Sequence, residues 1–266
     1  MKNFSFPSLN EVESFRNTLN SEQGVFGPFM ITGDPAFVEC AGYAGYDFVL
    51  LDMEHGPVSF ERLQNLIRAA NIAKIMPVVR VPRGSDIFIS RALDVGAGAI
   101  LVPQIDSAEQ AAAAVSAAKF SPIGTRGTCR FTRSACYGAD SGKNYFHAAQ
   151  DTMVMIQAEG TKAIENIDAI LNVDGIDVIF IGPYDLSASL GLLVKSSILR
   201  YATPFKKLSR RPTRKGSRLG VLQTMWQWPK NGEALGYALL VIPVIPTFFL
   251  KVQKEMLLYF IHKYNI

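Results

Sequence analysis

The sequence predicts an α/β chain: a (β/α)8 TIM barrel forming a single domain over residues 1–266. Three observations carry this reading. Apolar runs of strand length recur along the chain with helical patterns between them, the alternation of a parallel sheet covered by helices. At Phe48-Val-Leu-Leu51 the run is continuous, as in a strand buried on both faces. The 266 residues also suit one eightfold barrel, which typically uses about 250. Six β/α units with sequence left for two more favour a barrel over an open sheet.

Leu9 to Asn20 reads as a short helix in an approach segment. Val25 to Thr32 is the first strand, ended by Gly33-Asp34-Pro35, and Ala36 to Ala44 the helix after it. Phe48 to Leu51 is the second strand, and Gly56-Pro57 then turns the chain. Ser59 is placed to N-cap the next helix, whose apolar stripe is Leu63, Leu66, Ile67 and Ala70. Ile75 to Val81 is the third strand, followed by a helix over Ile87 to Val95. Gly96 to Val102 is the fourth, followed by an Ala-rich helix from Ser107 to Lys119. Asp151 to Gln157 is the fifth strand, Lys162 to Leu171 a helix, and Val178 to Ile181 the sixth strand.

Two stretches break this rhythm. Phe120 to Gln150 is long and rich in Gly, Arg, Ser and Tyr, and is expected to be a functional loop at the active-site face. After Gly191 the pattern fails. Leu219 to Met225 and Tyr237 to Ile242 are the candidates for strands seven and eight, and Thr247 to Tyr264 for a closing helix. Ten of the 27 Lys and Arg lie between Val194 and Gly232, where there is no Asp or Glu. This 194–232 segment is atypical where the seventh unit belongs. It reads as a solvated, poorly ordered or frameshift-like stretch, with Val194 to Lys215 the least ordered part. Tyr201, Phe205, Trp226 and Trp228 lie among its charges, but it holds no recognisable nucleic-acid module, so no nucleic-acid partner is expected.

Composition narrows the setting. A 48% hydrophobic, 19% charged chain describes a globular protein with a large core. Cys40, Cys129 and Cys136 are odd in number and lack CxxC spacing, which points away from a disulfide scaffold or zinc site and toward a reducing cytoplasm. Met1 to Gly24 has no apolar signal-peptide core. Tyr237 to Leu250, the most hydrophobic window, holds two prolines and is short of the roughly 20 residues of a membrane span. No membrane association is expected.

The chemistry sits at strand ends: Asp52, Glu54 and His55 after the second, Arg80 after the third, Glu159 after the fifth, Asp185 after the sixth. Each alone is also what a helix cap or surface ion pair uses, but a closed barrel brings these termini together. Glu159 and Asp185 come from adjacent strands and repel unless a proton or cation intervenes. An all-oxygen pair suits Mg²⁺ or Mn²⁺. His147 and His262 lie away from strand ends, which argues against a His-rich zinc site. No predicted strand presents an interior Lys for a Schiff base, so the metal route to a stabilised carbanion remains.

Gly45-Tyr-Asp-Phe-Val-Leu-Leu-Asp-Met-Glu-His-Gly-Pro57, Val79-Arg-Val-Pro82, Leu93-Asp-Val-Gly-Ala97, Val102-Pro-Gln104, Gly124-Thr-Arg-Gly127, Gln157-Ala-Glu159 and Gly182-Pro-Tyr-Asp-Leu-Ser187 follow one another along the chain. Together they resemble the motifs of the HpcH/HpaI aldolase family, metal-dependent pyruvate aldolases, over about residues 24–191. The resemblance implies a class II aldolase on a (β/α)8 barrel. It would reversibly cleave a 4-hydroxy-2-oxo acid to pyruvate and an aldehyde, with Mg²⁺, Mn²⁺ or Co²⁺. Position by position, Glu159 and Asp185 match the metal ligands and Arg80 the arginine on the pyruvate oxygen. His55 paired with Asp52 matches the general base, and Gln157 lines the pyruvate pocket. A homo-oligomer is implied, a hexamer or trimer, with the last helix packed on a neighbouring barrel. The alternatives are a citryl- or malyl-CoA type thioester lyase of the same superfamily, and a non-catalytic damaged barrel.

The reading of the basic segment is open to proteolysis. Trypsin should cut first at the Lys and Arg residues between Lys206 and Arg218. Protection there, with early cleavage inside Phe120–Gln150, would overturn it.

Overall fold

The structure is a computed structural model that describes residues 8–20, 25–83, 86–139, 143–189, 191, 220–225 and 238–243. Eight strands follow one another around a closed sheet. They are β1 (Val25–Met30), β2 (Phe48–Asp52), β3 (Met76–Arg80), β4 (Ala99–Val102), β5 (Met153–Ala158), β6 (Val178–Ile181), β7 (Gly220–Met225) and β8 (Ala238–Pro243). The helices are α1 (Leu9–Asn20), α2 (Pro35–Tyr43), α3 (Phe60–Ala73), α4 (Asp86–Asp94), α5 (Ala108–Ala118), α6 (Lys143–Ala148), α7 (Thr161–Glu165), α8 (Ile167–Leu171) and α9 (Pro183–Ser189). No helix among the described residues is long and apolar enough to cross a membrane.

Local chemistry sets the boundaries. The Ser59 and Ser107 side chains accept hydrogen bonds from the Arg62 and Gln110 N–H groups, capping α3 and α5 as their sequences predict. The helix expected over Lys162 to Leu171 is broken at Asn166 into α7 and α8. The Asn166 side-chain amide donates to the Asp106 carbonyl in the loop after β4. Pro183 starts α9, an element the strand-end reading of Gly182-Pro-Tyr-Asp185 did not include.

Strands β1 to β7 run parallel. β8 does not: it lies antiparallel between β7 and β1 and closes the sheet. The regular (β/α)8 repeat therefore holds over six units and departs at the last strand. Apart from β7, the basic 194–232 segment lies outside the described residues, as does the expected helix Thr247–Tyr264.

The continuous apolar runs resolve into two sets with a period of two. Phe48 and Leu50, Met76 and Val78, Ala99 and Leu101, Met153 and Met155, Val178 and Phe180 fill the barrel interior, together with Val25. Val49 and Leu51, Val79, Ile100 and Val102, Val154 and Ile156, and Ile179 pack outward against the helices. Val12, Phe15 and Leu19 of α1 join the interior set and plug the N-terminal end, with Phe15 edge-on to Phe48 at 5.6 Å. At that end Arg16 pairs with Asp177 at 2.5 Å, and the same carboxylate accepts the Val154 N–H.

The long interval between α5 and β5 corrects the expectation of a loop at the active-site face. It leaves a helix and enters a strand, so it lies at the N-terminal ends of the strands. Lys119 Nζ donates to the carbonyls of Gln150 and Thr152. Arg126 pairs with Asp94 at 2.7 Å and stacks on Phe120. Arg133 donates to the Val95 carbonyl and to Asn71. Phe120, Ala135, Tyr145 and Ala149 make a small core of their own. Deleting the keystone ring with Phe120→Ala should lower the unfolding free energy by about 3–5 kcal/mol, as for other buried aromatics. A loss below about 1 kcal/mol in a denaturant titration would show that the interval is not fastened to the barrel.

Candidate active site

The period-two alternation continues past the apolar layers and determines what crowns the interior. Above Phe48 and Leu50 comes Asp52; above Met76 and Val78 comes Arg80; above Met153 and Met155 come Gln157 and then Glu159. Asp52 and Arg80 are register partners across β2 and β3, and Gln157 is the partner of Phe180 across β5 and β6. One polar layer therefore caps the C-terminal end of the barrel.

Asp52 is fully buried. Its carboxylate accepts Arg80 Nε at 2.9 Å and Nη2 at 2.6 Å, a two-pronged pair, and also the backbone N–H groups of Glu54 and His55 at 3.0 and 3.3 Å. Arg80 lies over the Phe29 ring, 5.0 Å from its centroid. Burial opposes the guanidinium charge, but its bonds to Asp52 and the nearby Glu54 prevail and raise the Arg80 pKa.

The expected pairing of His55 with Asp52 takes a different form. Asp52 bonds residue 55 through the backbone N–H, and its oxygens are otherwise engaged by Arg80 and Glu54. The carboxylate beside the imidazole is that of Glu54, with Oε2 at 3.9 Å from His55 Nε2 and 3.4 Å from Arg80 Nη1. The Glu54 side chain is buried and that of His55 is 69% exposed, so the ring stands at the mouth. Burial raises the Glu54 pKa, with Arg80 and His55 opposing.

Glu159 is the most perturbed carboxylate, raised to about 7 by burial first and then by the charges of Asp185 and Glu54. Its Oε1 accepts the Gln104 N–H at 3.0 Å, and its Oε2 accepts a short bond from Gln157 Nε2. Gln157 Oε1 is buried and has no partner among the described residues. Gly182 lets the Glu159 carboxylate lie close against the backbone: a Cβ there would come within 2.5 Å of Oε2. Asp185 is exposed on the first turn of α9. No cluster of three or more His, Cys, Asp or Glu suited to a metal exists among the described residues. Two mutually repelling carboxylates beside a side-chain-free position nevertheless fit a hard divalent cation that completes its shell with water or substrate oxygens. Lys119, the buried lysine, is at the opposite end, bonded to backbone carbonyls.

The structure thus brings together the residues expected from strand ends: Asp52, His55, Arg80, Gln157, Glu159 and Asp185. It adds Glu54 and Gln104 as connectors. Glu54 was visible in the same polar burst, and Gln104 as the end of the Val102-Pro-Gln104 motif, with no role attached to it.

The sequence pattern of the HpcH/HpaI aldolase/citrate lyase family matches residues 26–215. A hydroxypyruvate/pyruvate aldolase of Roseobacter denitrificans is 35% identical over 214 residues, covering 80% of this chain and 83% of that protein. A 2-keto-3-deoxy-L-rhamnonate aldolase of Klebsiella pneumoniae is 41% identical over 179 residues, and the match covers 66% of each chain. A crystal structure of an HpcH/HpaI aldolase/citrate lyase family protein from Burkholderia cenocepacia superposes with TM-score 0.71 at 29% identity, covering 78% of this chain and 83% of that one.

The charge crowding has a thermodynamic sign. The folded Glu159 value of about 7 lies above its ordinary 4.5, so the cation-free folded chain holds an extra proton between those values. Its contribution to stability therefore declines as pH rises from about 4.5 through about 7. In chelator at pH 8, Glu159→Gln should melt at or above the parent, and its stability should fall less with pH. A melting point several degrees below the parent would show that Glu159 is a stabilising anchor instead.

Proposed function

The chain belongs to the HpcH/HpaI aldolase/citrate lyase family and is a carbon–carbon lyase, and we propose that it is a class II aldolase. Its reaction would be the reversible cleavage of a 4-hydroxy-2-oxo acid to pyruvate and an aldehyde. The observation that carries this is the layer on the barrel mouth, where a guanidinium held by Asp52 feels the crowded Glu159 carboxylate and an exposed imidazole stands 3.9 Å from Glu54. The full (β/α)8 barrel belongs to this reading too. β7, parallel to β6, supports it, and β8 is where the strands depart from it.

Glu159 and Asp185 would hold the divalent cation, Mg²⁺, Mn²⁺ or Co²⁺. The chemistry supplied by such a cation is Lewis-acid stabilisation of the enolate charge released when the carbon–carbon bond breaks. Arg80, fixed by Asp52 and Glu54, would donate to the oxygen on which that charge develops, and it needs no reorganisation to do so. Gln157 would line the pyruvate pocket. His55 would take the proton from the C4 hydroxyl. The C3–C4 electron pair then passes into the pyruvate enolate and the aldehyde departs. Protonation at C3 completes pyruvate, and condensation runs the same steps in reverse. Asp52 acts through Arg80 and the backbone of residues 54 and 55, and so is a positioning residue.

The test is cleavage of a 4-hydroxy-2-oxo acid, with deuterium exchange into the pyruvate methyl group as a readout that needs no aldehyde. EDTA should stop both, and Mg²⁺, Mn²⁺ or Co²⁺ should restore them. His55→Ala should slow cleavage by about 10²–10⁴-fold, the usual worth of a positioned base, with Mn²⁺ affinity unchanged. Full activity in EDTA with a borohydride-trapped imine would sink the reading. Cleavage of a CoA thioester alone would move the chain to the citrate lyase side of the family.

A further inference from the structure

Gln104 has no task in the reaction just described, yet two of the site's carboxylates converge on it. It follows Pro103 at the end of β4 with φ 55, in the left-handed region. That conformation is unfavourable for a residue with a side chain and persists only where its surroundings hold it. What holds it is visible. The Gln104 N–H donates to Glu159 Oε1 at 3.0 Å, and the next N–H, of Ile105, donates to the Gln157 carbonyl at 3.0 Å. In the same turn the side-chain Nε2 of Gln104 donates to Glu54 Oε1 at 3.3 Å.

These two acceptors come from distant parts of the wall. Glu159 follows β5, and Glu54 follows β2, two strands beyond β4 on the other side. Glu54 in turn touches Arg80 and faces the His55 ring. A single residue therefore ties the cation side of the site to its guanidinium and imidazole side. The tie has two arms of different origin. One is a main-chain N–H presented by the turn in which Gln104 has positive φ; the other is a neutral side-chain amide that meets Glu54 without adding charge.

We propose that Gln104 is a positioning residue: its backbone arm holds Glu159 for the cation, and its side-chain arm holds Glu54, and through it Arg80 and His55, for turnover. This rests on the aldolase reading above, and the two can fail separately.

Because the arms differ, they can be cut one at a time. Gln104→Gly removes the amide, while glycine keeps positive φ without strain. Gln104→Met removes the amide at similar size. Gln104→Val removes the amide and also strains the turn that presents the backbone N–H, because a β-branched residue is a genuine outlier at positive φ. Mn²⁺ binding is read by electron paramagnetic resonance, and turnover by pyruvate methyl deuterium exchange and oxo-acid cleavage. Gln104→Gly and Gln104→Met should lose about tenfold in kcat, the scale of one hydrogen bond to a charged group, while binding Mn²⁺ within roughly twofold of the parent. Gln104→Val should lose about tenfold in Mn²⁺ affinity as well. Parental kcat in Gln104→Gly overturns the proposal, as does equal Mn²⁺ loss in the Gly and Val variants. If Gln104→Val does not fold, the Gly and Met variants decide alone. A parent chain that binds Mn²⁺ but neither exchanges nor cleaves overturns the aldolase reading, and the Mn²⁺ series still judges the backbone arm.

Discussion

The buried contact between Asp52 and Arg80 is the constraint on which the mouth of this barrel depends. A carboxylate with no solvent exposure is tolerable only when its lone pairs are engaged, and Asp52 engages both oxygens: with Arg80 and with the N–H groups of Glu54 and His55. Removing one partner of such a pair strands the other, at a typical cost of about 3–5 kcal/mol. Its value here is orientation. The same carboxylate fixes the direction of the guanidinium and the path of the backbone that carries Glu54 and His55. Phe29 beneath the guanidinium, itself edge-on to Phe180, keeps it from tipping back into the barrel.

Around that pair the charges do not balance. Glu54, Glu159 and Asp185 add three carboxylates to a site whose cationic groups are Arg80 and, when protonated, His55. Burial and mutual repulsion raise Glu159 to about 7. A core built only for stability would not hold them so close, since removing such conflicts is an easy route to a more stable protein. A divalent cation would resolve the conflict, and the absence of a side chain at Gly182 gives the Glu159 carboxylate room to lie against the backbone there.

The two ends of the barrel use similar residues for different ends. At the lower end Arg16, Lys119, Arg126 and Arg133 are matched to acceptors, the carboxylates of Asp177 and Asp94 and main-chain carbonyls, and the excursion after α5 builds its own core on Phe120. At the upper end, charges face a common opening. Length and composition alone made the excursion look functional. Which face it lies on follows from direction instead: a helix-to-strand connection in a parallel barrel comes out at the N-terminal ends of the strands.

Much of the site was legible because a strand has a period of two. Once Phe48, Leu50 and Asp52 lie on one face, the buried run and the polar burst after it are one pattern, and the same holds for Val78 with Arg80 and Met155 with Gln157 and Glu159. Six β/α units, the caps at Ser59 and Ser107, and the polar strand ends are local properties, and the sequence by itself determined them. Tertiary structure decided what is not local. The partner of Asp52 is Arg80 rather than the His55 ring, because the register of β2 on β3 sets them side by side. The direction of β8 shows only in its antiparallel register on β7 and β1. Gln104 joins Glu54 to Glu159 only because the closed sheet curls the ends of β2, β4 and β5 around one opening, and no spacing along the chain encodes that distance.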